Sequence, residues 1–308
     1  MKTQAFLNAF RAKSLLVITD DSAISNVFRR HGFTNFAEFD SFDFAANKKP
    51  VFVLLGTYPA QYRMNKELWD NCGGIFVHLA ASKFDASLQA VDYSIQKILD
   101  IPDYAVTLAH RDALYEKALS AKSIRVHSGD DSVLTGFLSE EVEVANYDTE
   151  LQEGWLYSIA EFFETSIVNL EDNKSSFCAN GKLVFNGLSH LENSPEVKAQ
   201  FAPLLTEMIN LSVKGDNWLE CEDNSITKMV LGGEDFTATL SDAFAGSIRE
   251  LTLTEFAFGV VKHPKMPDWR VNSMMNEGIV GMHVGIGIAV DTSHIDFISA
   301  GAELEFVN

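Results

Sequence analysis

The sequence predicts an α/β N-terminal domain with a parallel sheet, followed by an α+β C-terminal domain with a mostly antiparallel sheet. Three observations carry this expectation. The first 100 residues hold continuous apolar runs separated by helical patterns, the mark of parallel strands covered on both faces. After about residue 145 the runs shorten, alternation replaces continuity, and glycine turns appear at Asn180-Gly181, Asn186-Gly187 and Gly232-Gly233. At 308 residues, with 46% hydrophobic content and 23 phenylalanines, the chain is long enough for two cores and too apolar to be disordered. The expected domains are therefore 1–145 and 146–308.

In order, residues 1–12 read as an amphipathic helix and 13–20 as a buried strand. A helix over 23–31 follows, closed by Gly32. Residues 51–56 and 74–80 give two further buried strands. Leu88, Val91, Ile95 and Leu99 form a helical stripe within 87–101 that ends at Pro102. A helix over 104–121 leads to a strand at 123–128. In the second half, 177–179 and 183–185 flank Asn180-Gly181 as a predicted hairpin. A helix is expected over 195–213, strands over 225–231 and 236–240, and a helix over 243–251.

Several function classes are excluded early. A net charge of −19 lacks the basic footprint of a nucleic-acid binder. No apolar run reaches the roughly 18 residues of a membrane span. The start of the chain lacks a signal-peptide pattern, so a cytoplasmic location is expected. Cys72, Cys178 and Cys221 have no paired spacing and read as buried small hydrophobes. No G-x-G-x-x-G follows the first strand, so no dinucleotide site is expected. His78 and His127 lie in or at the end of apolar strands and read as core or edge histidines.

The chemistry concentrates near the C-terminus, where His283, His294 and Asp296 fall within fourteen residues. From 283 to 290 the sequence alternates, placing His283, Gly285, Gly287 and Ala289 on one face and Val284, Ile286, Ile288 and Val290 on the other. Glycine inside a strand marks close approach to the backbone. His294 and Asp296, two apart, share a face of a second strand. Imidazole plus carboxylate suits zinc or non-haem iron. A tight hairpin around Asp291-Thr292 would put Asp296 opposite Gly287, with His283 about 13 Å along the strand from Gly287, too far for one ion. The strands pair otherwise, or two metals bind, or the site is a relic.

These residues resemble the M29 metallo-aminopeptidases (the aminopeptidase T family). Residues 253–259 (Leu-Thr-Glu-Phe-Ala-Phe-Gly) stand where the family has L-G-E-L-G-x-G, residues 276–287 match its histidine-bearing strand, and His294-Ile295-Asp296 matches its closing H-x-D. Residues 163–172 are similar to its first acidic element with a glycine lost, and residues 121–135 are more loosely similar. The resemblance implies metal ligands at Glu164, Glu255, His283, His294 and Asp296, with Glu171 the alternative to Glu164. It also implies zinc, cobalt or manganese, a peptide substrate and a homodimer. A non-ligand carboxylate, Glu277, is the expected general base. The family's tyrosine after the histidine strand is missing here, and the loop before His294 is short.

Three functions stay open: a metal-dependent aminopeptidase, an Fe(II) ring-cleaving dioxygenase of the dihydroxypyridine type using His283, His294 and Asp296, and a non-catalytic peptide-binding derivative without metal. A peptide or small-molecule ligand is expected; no nucleic acid or membrane is.

Overall fold

The computed structural model describes residues 1–71, 73–129, 131–145 and 149–308. Cys72 and the expected start of the second domain at Asn146 lie outside the described residues. In chain order the elements are α1 (Thr3–Arg11), β1 (Leu16–Thr19), α2 (Ser22–Arg30), β2 (Phe36–Glu38), β3 (Val51–Leu54), α3 (Tyr58–Asn71), β4 (Ile75–Leu79), α4 (Leu88–Leu99) and α5 (Tyr104–Ser120). Then come β5 (Ser123–Gly129), β6 (Ser132–Leu138), β7 (Val144–Ala145), β8 (Trp155–Ser158), β9 (Glu164–Val168), β10 (Phe177–Val184), β11 (Gly187–Leu191) and α6 (Pro195–Ser212). The chain closes with β12 (Trp218–Glu222), β13 (Ser225–Leu231), β14 (Glu234–Asp235), α7 (Thr237–Phe244), β15 (Leu253–Gly259), β16 (Gly281–Ile286), β17 (His294–Ala300) and β18 (Glu303–Val307).

The N-terminal sheet is parallel throughout, in the order β2-β1-β3-β4-β8. Its apolar runs are buried on both faces. Phe52 and Val77 pack with Phe6, Phe10 and Phe28 on one side, and Val53 and Phe76 pack with Phe39, Phe44 and Met64 on the other. Helix α2 starts where Asp21 accepts the Ala23 amide, the N-cap that the Asp-Asp-Ser run supplies.

The remaining strands form two antiparallel sheets, β14-β13-β12-β10-β6-β5-β18 and β11-β17-β16-β15-β9-β7. Their facing sides share one core: Leu134, Phe177, Leu183 and Leu219 from the first meet Phe256, Phe258, Val284, Ile286, Ile295 and Phe297 from the second. Val284 and Ile286 are thus the packed side of β16, as their alternation predicts. The sheets interleave around residue 145. β5 and β6 pair with β18 and β10, whereas the later β8 completes the parallel sheet. The pattern of β5 explains its sheet, since Ile124 and Val126 are buried while Arg125 and His127 are exposed, a one-sided strand.

Four local expectations are corrected. The Asn180-Gly181 pair makes no hairpin but lies within the single strand β10. Gly181 does adopt φ 116°, because a Cβ there would sit 2.2 Å from the Val133 carbonyl oxygen. Residues 236–240 form no strand, and the helix expected over 243–251 lies instead over 237–244, since Phe236, Leu240 and Phe244 are buried at four-residue spacing. Strand β16 stops at Ile286, leaving Ile288 and Val290 in a loop with Gly287 and Ala289 at positive φ.

Among the described residues, no helix is long and apolar enough to cross a membrane. The two antiparallel sheets depend on their shared aromatic centre, where Phe256 meets Phe177 at a tilt and Phe258 edge-on, both at ring separations of 5.5 Å. Phe256→Ala is expected to destabilise the fold by about 3–5 kcal/mol, measured as a shift in the urea unfolding midpoint at unchanged slope.

Candidate metal centre

Strand register builds this site. β16 and β17 are joined by the seven residues 287–293 and pair with Gly285 opposite Asp296 and His283 opposite Ile298. The tight-hairpin register is therefore wrong by two residues. Asp296 lies one pleat repeat from His283, about 7 Å along the sheet, instead of two. On the other flank β15 pairs Glu255 with Gly285 and Ala257 with His283, and β9 pairs Glu164 with Gly259. One row across the sheet thus reads Asp296, Gly285, Glu255, and the glycine leaves the space above it open. A Cβ at position 285 would lie 2.7 Å from Asp296 Oδ1 and 2.8 Å from His294 Nε2.

Into that space the side chains converge. His294 Nε2 lies 3.0 Å from Asp296 Oδ1 and 3.1 Å from Glu255 Oε2. Donor atoms of Glu255, His294 and Asp296 all fall within 4.8 Å of one another, so these three could hold one metal ion. Glu255 turns its other oxygen, Oε1, toward His283 Nε2 at 3.5 Å and accepts the Ser166 hydroxyl there. His283 Nε2 is in turn 4.0 Å from Glu164 Oε2. Glu277 stands beside the group, accepting the Ser189 hydroxyl on Oε1 at 2.6 Å. Glu171, the alternative first ligand, is exposed beyond the end of β9. His78 and His127 lie elsewhere, on β4 and β5.

The imidazole of His294 is oriented from behind. Its Nδ1 is 2.8 Å from the Gly287 carbonyl oxygen, so Nδ1–H donates and Nε2 faces the cluster. This is the outer-shell arrangement that fixes a ligating histidine.

Electrostatics favour a cation here. The group holds four carboxyl groups (Glu164, Glu255, Glu277, Asp296) against two imidazoles, and it keeps protons on its buried carboxyls that a cation could replace. Burial raises Glu164 to about 8, with Glu255 and Asp296 adding to the rise and His283 opposing it. Burial also raises Glu277 well above the carboxylate range, reinforced by Asp296 and Glu164. In Glu255 burial is outweighed by hydrogen bonding from His283 and His294, and its carboxyl is held well below the usual range. In His283 burial is outweighed chiefly by Glu255 and Asp296, which hold the ring up at about 10. Glu164 Oε2 and His283 Nδ1 are buried without hydrogen-bond partners. Buried unpaired carboxylate is costly, and a divalent ion with N and O ligands relieves it. The residues present fit such an ion.

Sequence reasoning missed Ser166, Ser189 and the Gly287 carbonyl. Ser166 was within reach, two residues from Glu164 on one strand face; Ser189 comes from a distant strand and carried no local signal.

These shifts set a pH dependence. Unfolded, Glu164 loses its proton near 4.5; folded and metal-free, near 8. The contribution of a raised group is complete below the unfolded value and lost as pH rises through the folded one. His283 acts with the same sign between 6.5 and about 10. Glu255 has the opposite sign and acts only on the acid side of 4.5. In chelator, the thermal midpoint should fall between about pH 6 and pH 9, and the gain from added zinc should grow over that window, because metal replaces those protons. Differential scanning calorimetry with and without zinc checks both.

In fold the chain is similar to the 2,5-dihydroxypyridine dioxygenase of Pseudomonas putida KT2440, with a TM-score of 0.52 and 13% identity over 99% of this chain and 94% of that one. At that identity the likeness is one of fold alone. No curated protein matches. Residues 12–307 match the family model for the crocagin biosynthetic protein CgnE/B. Nearly the whole sequence lies within that match, and the chain belongs to the crocagin biosynthetic CgnE/B family.

Proposed function

We propose that the chain binds divalent metal in this cluster and acts on a peptide within a natural-product pathway, in the manner of the M29 metallo-aminopeptidases that residues 253–297 resemble. The observation that carries the reading is the convergence of Glu255, His294 and Asp296 above Gly285. Membership of a biosynthetic family is consistent with the pathway role.

On this reading Glu255, His294 and Asp296 hold one ion. Glu164 and His283, which lie on the side of the other Glu255 oxygen, would hold a second ion where one binds. When bound, such ions polarise a carbonyl and bring the pKa of a water toward 7. Glu277 serves as the proton carrier. Ser189 occupies its Oε1, which leaves Oε2 to take the proton from the nucleophile and return it to the leaving amine.

One departure favours a second reading, that of a peptide-binding protein which no longer hydrolyses. Residues 288–293 contain no tyrosine, and loss of an oxyanion donor costs about 10²–10³ in rate elsewhere. The dioxygenase reading needs His283, His294 and Asp296 on one iron, whereas His283 faces Glu255 and Glu164.

Elemental analysis of untagged protein purified without chelator separates the three. About one or two zinc, cobalt or manganese ions per chain, absent from His294→Ala/Asp296→Ala, is the expected result. Iron with oxygen uptake on a dihydroxylated ring would move the assignment to the dioxygenase, and no metal in either protein would leave only the peptide-binding role. Gly285→Ala should also abolish metal uptake, because its Cβ would fill the space that His294 and Asp296 share, while circular dichroism stays unchanged.

A further inference from the structure

A second group of buried polar side chains lies next to the metal centre without contributing to its donor set. Glu192, one residue past β11, is fully buried. Its Oε1 accepts the Ser293 hydroxyl at 2.6 Å and lies 2.8 Å from His190 Nδ1, while Oε2 has no hydrogen-bond partner. Ser293, itself fully buried, immediately precedes His294. The next residue, Asn193, donates its amide to the Ala289 carbonyl at 3.1 Å. Two consecutive residues therefore grip the 287–293 loop at its middle and at its end.

That loop does not hold its path unaided. Gly287 and Ala289 adopt φ of 75° and 59°, and for a non-glycine residue such a backbone persists only where its surroundings fix it. The carbonyl of Gly287 receives His294 Nδ1 and the Thr254 hydroxyl at 2.8 and 3.0 Å. The grip at Ala289 and Ser293 thus ends at the atom that orients His294. On its far side residue 192 is tied to the N-terminal half, its amide donating to the Lys83 carbonyl at 3.2 Å and its carbonyl accepting the Tyr58 hydroxyl at 3.1 Å. Oε1 alone serves both contacts, as acceptor for the serine hydroxyl and as the atom facing the imidazole.

We propose that Glu192 is a positioning residue of the metal centre: through Ser293 it fixes the 287–293 loop, and with it the orientation and donor nitrogen of His294. The proposal rests on the reading of Glu255, His294 and Asp296 as metal ligands. It also gives the N-terminal half a direct line to the centre, through Tyr58 and Lys83.

The test compares wild type with Glu192→Ala and Ser293→Ala, each full length. Asn217→Ala serves as a control for general destabilisation, since Asn217 is equally buried but bridges Phe185, Ser212 and Gly232. Zinc affinity is measured by competition with a chelating dye, and exchange of the His294 Nδ1 proton by nitrogen-15 NMR. Both cluster variants should bind zinc about 10-fold or more weakly, the range seen for losses in a metal's outer shell, and should exchange that proton faster; the control should match wild type on both counts. Zinc affinity in the cluster variants equal to wild type would overturn this proposal and leave the metal reading standing, as would an equal loss in Asn217→Ala. No zinc uptake by wild type would remove the metal reading itself and this proposal with it.

Discussion

The cluster depends on a strand position that carries no side chain. Gly285 lies between Asp296 and Glu255 on the neighbouring strands, and only a missing Cβ lets His294, Asp296 and Glu255 close over the same point. A sheet spaces its side chains about 5 Å apart across strands and 7 Å along them. Donor atoms on adjacent strands therefore meet only when they lean over a bare position. The neighbouring glycine does a different task. At Gly287 the backbone takes φ 75°, and its carbonyl turns back onto His294.

The same strands separate stability from chemistry by face. Phe256, Phe258, Val284, Ile286, Ile295 and Phe297 pack against the other antiparallel sheet, and each fully buried side chain contributes on the order of 1.5–3 kcal/mol. The opposite face carries His283, Asp296, Glu255 and the serines that bond its carboxylates. Burial there is unfavourable for charge, as the raised pKa values of Glu164 and Glu277 record. The aromatic core on one face offsets the strain of the polar cluster on the other.

The N-terminal layer closes over that polar face. Tyr93 donates to Asn276 at 2.8 Å and Ser94 meets Ser273 at 2.7 Å, fixing the segment that carries Glu277. Phe163, next to Glu164, is packed in the N-terminal core. Tyr58 and Lys83 reach the residue that grips the His294 loop. The parallel sheet thus acts on the centre through the segments leading into it.

By itself the sequence determined the classes of sheet and the part of the polar cluster carried by His283, His294 and Asp296. Continuous apolar runs gave the parallel layer and alternation gave the one-sided strands, because burial on two faces or one writes itself into adjacent residues. His283, His294 and Asp296 were legible from spacing, whereas Glu164 and Glu255 were legible only through a family resemblance. Register was decided by tertiary structure. A seven-residue loop in place of a tight turn moved Asp296 two positions, from Gly287 to Gly285, where it meets His294 and Glu255. Gly181 inside a strand, the helix at 237–244, and the approach of Ser189, Ser166 and Glu192 were likewise decided by contacts with distant segments, which local sequence does not encode.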